Sequence, residues 1–189
     1  MTYHNNPPVS EWHRQVIIGT VLGGSSLVKP ARGRNCYLFM RSKNLDWMQF
    51  KAKELEPFSN GQITQEKNSY RWHSNCYPLF QEMRELLYEK GKKKLTVDLL
   101  SSIRPIALTV WYGDCGRVVR KKAVLNTHKL GEDSTEAISE FFNLSNLENK
   151  VVKERGYLRV SFTPDATISL IKLVLQVNPP KCIYHKLSI

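Results

Sequence analysis

Acidic residues are scarce in this chain: 17 Asp+Glu stand against 28 Lys+Arg, for a formal net charge of +11. That deficit excludes recognition of basic partners through bulk charge and points to an anionic one, nucleic acid first. Long apolar runs are also missing, since no stretch approaches the ~20 residues of a membrane-spanning helix. Met1 to Ser10 carries His4, Asn5, Asn6, Pro7 and Pro8 where a secretory leader has a basic and then an apolar segment. Neither a membrane span nor a signal peptide is expected. The four cysteines, Cys36, Cys76, Cys115 and Cys182, form no CxxC pair, which excludes a zinc knuckle and a small disulfide scaffold. Reduced thiols in an intracellular setting (cytoplasm, nucleoid or organelle) are the expectation. His4, His13, His73, His128 and His185 show neither HxH nor HExxH spacing, so those metal patterns are absent as well.

What is present is a chain of 189 residues, 41% hydrophobic, enough for one large or two small domains. Periodicity predicts a helix over 11–23, with Trp12, Val16, Ile17, Val21 and Leu22 on its apolar stripe and Ser10 as N-cap. Strands follow at 26–29 and 35–41, a helix at 44–58 stopped near Pro57, strands at 61–66 and 69–75, and an amphipathic helix at 77–90. The run Lys90 to Lys94 reads as a solvated linker or as a phosphate contact at the junction of two halves. Beyond it the order recurs: a helix at 105–114, strands at 117–121 and 123–127, a helix at 134–147, a hairpin at 151–155 and 157–162, and a helix at 165–177. Two αββαββα halves, 10–94 and 95–189, predict a pseudo-twofold α+β protein with paired first helices and two antiparallel sheets.

Ile17 to Ser25 (IIGTVLGGS) and Leu108 to Gly116 (LTVWYGDCG) occupy corresponding helix ends. Both resemble the nine-residue LAGLIDADG signature, the second through Ala107, Trp111, Tyr112, Asp114 and Gly116. Leu125-Asn126-Thr127 and the closing Pro180 to Leu187 (PKCIYHKL) are similar to the same family, so the resemblance spans nearly the whole chain. It implies a homing-endonuclease fold: two four-stranded sheets forming a saddle on duplex DNA, the signature helices packed at the centre, and a monomer because both motifs lie in one chain. Gly19, Gly23, Gly24, Ala107 and Gly113 are small enough for such close helix packing. Alternation of Tyr157, Arg159 and Ser161 with Leu158, Val160 and Phe162 fits a sheet with one open face, as do Arg71 and His73 against Tyr70 and Trp72.

In the family, the last acid of each signature holds divalent metal at the cut phosphates; those positions here are Gly24 and Cys115. Glycine carries no ligand, and a thiolate suits Mg²⁺ poorly. Asp114 lies one residue earlier, about 100° around the helix, and reads as an exposed helix-end carboxylate or a weak metal candidate. Lys186 and one of Lys92, Lys93 or Lys94, with Lys93 as the candidate, match the family's basic residues near the cut phosphates. Mg²⁺ is expected only if the family's activity is retained, and restoring both acids is expected to return some cutting. DNA-facing candidates are Lys29, Arg32, Arg34 and Arg41 at one hairpin, Arg117, Arg120, Lys121 and Lys122 at the corresponding one, and Arg71, His73 and Arg159 on strands. Gly19 to Ser26 nearly spells a phosphate loop but has Ser25 in place of its lysine, so helix-end glycines are the better reading. Cys115 beside Asp114 lacks any nucleophile signature and reads as a small packed residue. Two function classes stay open: a homing-type site-specific DNA endonuclease, or a non-catalytic descendant serving as a DNA-binding regulator or an RNA splicing or maturation helper.

Overall fold

Ser10 opens the first helix of the computed structural model, which describes residues 7–188. His4, with most of the segment read for a leader, lies outside the described residues. The Ser10 hydroxyl accepts from the His13 N–H while the His13 ring accepts from the Ser10 N–H, a reciprocal cap for donors that a helix start leaves free. Helix α1 (Glu11–Leu22) is then buried on every side from Gln15 onward, as a helix apolar all round must be. Trp12 departs from the predicted stripe: it is 42% exposed, and its indole N–H donates to Glu54 Oε2 at 2.6 Å.

From α1 the chain runs through β1 (Ser26–Val28), β2 (Tyr37–Ser42), α2 (Leu45–Glu54), β3 (Thr64–Glu66), β4 (Ser69–His73) and α3 (Pro78–Leu87). Asn44 caps α2 by accepting from the Trp47 N–H at 2.9 Å. The helix is shorter than predicted because Pro57 cannot continue it and falls in a 3-10 turn, Glu56–Phe58. The predicted linker is instead a small hairpin, β5 (Tyr88–Glu89) and β6 (Lys92–Lys93), followed by a short helix α4 (Val97–Ser101) capped by Thr96. Lys90 and Gly91 take positive φ, the backbone that two-residue hairpin turns prefer.

The second pass comprises α5 (Pro105–Cys115), β7 (Gly116–Val119), β8 (Lys122–Asn126), α6 (Glu132–Leu144), β9 (Asn149–Glu154), β10 (Tyr157–Phe162) and α7 (Pro164–Leu175), then a 3-10 segment, Lys181–Lys186. The two four-stranded antiparallel sheets have equivalent orders, β1-β2-β4-β3 and β7-β8-β10-β9. Their registers pair Met40 with Trp72 and Leu125 with Val160, all buried against helices, while Arg41 with Arg71 and Asn126 with Arg159 occupy the opposite faces. The tandem α+β architecture predicted from the sequence is the one observed.

Helices α1 and α5 pack together at the centre. A Cβ on Gly19 would fall 2.9 Å from the Val110 Cβ and overlap the Ala107 carbonyl, and one on Gly23 would fall 2.5 Å from the Asp114 Cβ. Only glycine permits this approach. Gln15, 2% exposed, ties the helix starts together: its amide donates to Ser102 O at 3.1 Å and accepts from the Arg104 N–H at 2.8 Å. Because Gly19 to Ser26 runs helix, turn, strand, it has the reverse order of a phosphate loop.

Candidate nucleic-acid interface and central pocket

The basic residues singled out from the sequence divide between the sheets' open faces and the connections of β1 with β2 and β7 with β8. On the first sheet, Glu66 pairs with Arg71 at 3.2 Å and Arg41 at 3.8 Å, and the Arg41 Nε–H donates to Ser69 Oγ at 2.8 Å. His73 follows along β4, exposed and in edge contact with Tyr37, ring centroids 6.0 Å apart. On the second sheet, Arg159 pairs with Glu154 and its Nε, buried, has no partner among the described residues. Lys29, Arg32 and Arg34 project at the β1–β2 connection, and Arg117, Arg120, Lys121 and Lys122 around the β7–β8 turn; all are exposed. Arg120 and Lys121 take positive φ at that turn. His128 is exposed just past β8 and packs edge-on against Tyr157 at 5.2 Å.

Between the sheets, where α1 and α5 end, lies a pocket of about 940 Å³ whose walls include Gly23, Gly24, Arg41, Lys43, Trp47, Lys67, Gly113, Asp114, Lys129 and Lys186. A second pocket of about 670 Å³, lined by the β5–β6 hairpin and the start of α6, also reaches Gly24 and Lys129. Lys93 and Lys186 occupy corresponding places. The Lys93 ammonium donates to the Val21 carbonyl of α1 at 2.6 Å; that of Lys186 donates to the Gly113 carbonyl of α5 at 2.5 Å and to Asp114 O at 3.3 Å. Lys186 satisfies carbonyls at the end of α5, while Lys93 is a second donor to a carbonyl that already accepts from the Gly24 N–H at 3.2 Å. Burial, assisted by Lys129, pushes the Lys93 ammonium down to about 8, and burial likewise lowers Lys186.

Asp114 is no exposed carboxylate, contrary to the sequence-based expectation. Its Oδ1 accepts from Lys51 Nζ at 2.7 Å and from the Trp47 indole N–H at 2.6 Å, and its Oδ2 accepts from Lys51 at 2.9 Å. Lys51 is fully buried and the Asp114 side chain is 11% exposed. The partners come from α2, so this ion pair joins the two halves. Nothing local in the sequence marks Lys51, which sits 63 positions from its acid. The Cys115 thiol donates to Trp111 O at 3.4 Å, and burial, reinforced by Asp114, pushes it up to about 12. Such a thiol stays protonated and unreactive at neutral pH.

Mg²⁺ needs several free oxygen ligands. Here Gly24 offers none, Cys115 is a protonated sulfur, both Asp114 oxygens are engaged by Lys51 or Trp47, and the Val21 and Gly113 carbonyls are held by lysines. Among the described residues no group of three or more His, Cys, Asp or Glu could hold a metal ion. The side chains at the helix ends do not fit a divalent cation.

Comparison with known proteins agrees with this architecture. The chain is 28% identical over 156 residues to protein RecA of Mycolicibacterium fallax, a match covering 80% of this chain and 36% of that protein. It thus spans about a third of the length of the curated relatives it matches. Its structure superposes on the homing endonuclease I-WcaI bound to its DNA recognition sequence with a TM-score of 0.85 at 17% identity, covering 95% of this chain and 87% of the other. With I-DmoI in complex with DNA and Mn the TM-score is 0.61 at 15% identity, covering 87% and 97%. The family model described as the LAGLIDADG DNA endonuclease family matches residues 14–170, and with the tandem sheets and the paired helices already in place, the chain belongs to that family.

Proposed function

We propose that the chain binds duplex DNA along the open faces of its two sheets, as a monomer of two halves, residues 10–94 and 95–189, and that it does not perform the family's metal-dependent cleavage. The observation that carries this reading is the state of the helix ends: both Asp114 carboxylate oxygens are bonded to Lys51 or Trp47, and the Val21 and Gly113 carbonyls to Lys93 and Lys186. Two-metal hydrolysis needs ligands that hold cations beside the scissile phosphate, and ammonium groups in their place repel cations.

The binding surface supports the other half of the proposal. Arginines on strands can reach guanine edges in the major groove, while turn residues such as Arg120, Lys121 and Lys122 reach phosphates. The preformed Glu66 contacts hold Arg41 and Arg71 in place before DNA arrives. Enrichment of binding sequences from a random duplex pool tests this reading, with folded RNA as competitor. A defined duplex consensus that resists RNA competition is expected; preferential retention of structured RNA would replace DNA with RNA as the partner.

A further inference from the structure

The pocket at Gly24 has changed sign relative to a metal site. A Cβ added there would lie 3.7 Å from Lys129 Nζ, so the ammonium of Lys129 stands beside the position from which the family's acid would project. Lys93 donates to Val21 O, the carbonyl that also accepts from the Gly24 N–H at 3.2 Å, and this bond uses one of three ammonium hydrogens and leaves two donors for a ligand. Gly24 and Lys129 line both central pockets, and Lys93 lines the second beside them. Together the pockets are lined by nine lysines and arginines and four acids. Of those acids, Asp114 is neutralised by Lys51 and Glu89 by Lys94 at 2.7 Å; Glu132 and Asp133 lie in the first turn of α6.

We propose that Lys93 and Lys129 form a metal-independent oxyanion site at Gly24 that takes one phosphate of the nucleic-acid backbone. The identity of the phosphate's bearer rests on the DNA-binding reading; the site's chemistry does not. Gly24 is what allows it, since any side chain there would fill the space in front of Lys129. The lowered affinity of Lys93 for its proton has the cause expected of two cations waiting for an anion: desolvation, with a second ammonium close by. The single negative charge of a bound backbone phosphate would offset both effects. No metal takes part, and a divalent cation competes with the lysines for the phosphate.

The test uses the full chain at neutral pH and inorganic phosphate as probe, followed through the lysine side-chain resonances. Phosphate should shift Lys93 and Lys129 saturably, and Lys129→Met should weaken that binding about tenfold or more, the scale of a lost charged hydrogen bond. Lys172→Met on α7 should leave it unchanged. Lys93→Met provides a second arm, because an apolar side chain suits that half-buried position. Paramagnetic Mn²⁺ is the counter-probe: selective broadening of Lys93, Lys129 and Gly24 signals would show a cation site and overturn the proposal, as would equal phosphate shifts at every exposed lysine. Duplex binding is measured alongside. If phosphate binds as described but DNA does not, the functional reading fails and the oxyanion site stands; if DNA binds with wild-type affinity after Lys129→Met and phosphate shifts nothing, the reverse holds.

Discussion

Asp114 shows how a residue's meaning depends on a partner far away in sequence. A carboxylate at the end of a signature helix reads as a metal ligand until Lys51 is placed against it, and burial of the lysine then makes the pair structural. Breaking one side of a buried pair leaves a charge without compensation. Asp114→Asn is therefore expected to destabilise the fold by about 3 kcal/mol, read from urea unfolding midpoints. The combination Lys51→Met with Asp114→Asn should lose clearly less, because no uncompensated charge remains. Equal losses would show that the pair does not couple α2 to α5.

Cys115 and Lys93 make opposite contributions at alkaline pH. The thiol titrates at an ordinary 9.0 unfolded and about 12 folded, so above pH 9 the unfolded chain releases a proton that the folded chain keeps, and stability falls as pH rises. Lys93 titrates at about 8 folded and 10.5 unfolded, so between those values the unfolded chain binds more protons and stability rises. Unfolding of Cys115→Ala followed from pH 8 to 11 should show the variant's stability improving relative to wild type above pH 9. A constant difference across that range would mean that the thiol is not held protonated by burial.

At the scale of elements, the order αββαββα was legible because each helix and strand has its own periodicity, cap or proline. Asn44, Pro57 and Pro105 mark boundaries by chemistry that acts within a few residues. The β5–β6 hairpin was not legible, being short, lysine-rich and without alternation, and the closing 3-10 segment is held by tertiary bonds such as Tyr112 Oη–H to Lys186 O at 3.1 Å. In the site, the basic candidates could be read from their hairpins and strands. Lys51, Trp47 and Lys129 could not, because their significance comes from α2 and the β8–α6 connection meeting helix ends far off in the chain.

The turn after α1 changes one expectation drawn from the sequence. Gly24 takes φ +117, where an L side chain is strained by about 1–3 kcal/mol, and a carboxylate placed there meets the Lys129 ammonium. Gly24→Asp with Cys115→Asp is thus expected to give an ion pair at one position and a buried, protonated acid at the other, without metal-dependent cutting. Adding Lys129→Ala removes the competing cation. Recovery of cutting in the double substitution alone would show that the turn and Lys129 yield readily to metal.

At the scale of the whole molecule, the formal charge of +11 is displayed on both sheets and in the pocket between them. Neutralising several phosphates makes affinity fall by orders of magnitude between about 50 and 200 mM salt. Charge reversal at Arg117, Arg120 and Lys122 should weaken binding to all duplexes and flatten the salt dependence, since turn lysines and arginines contact phosphate more than base. Loss of discrimination between duplexes at unchanged overall affinity would place these side chains on bases instead.

On the proposed reading, lysines occupy the helix ends where the family would hold divalent metal at DNA. A duplex selected for tight binding, incubated with the protein in Mg²⁺, in Mn²⁺ and in EDTA, tests it directly by reading affinity and strand integrity together. Intact DNA in all three conditions is expected, with affinity in EDTA at least equal to that in Mg²⁺. A double-strand cut that requires Mg²⁺ or Mn²⁺ and disappears in EDTA would contradict the account.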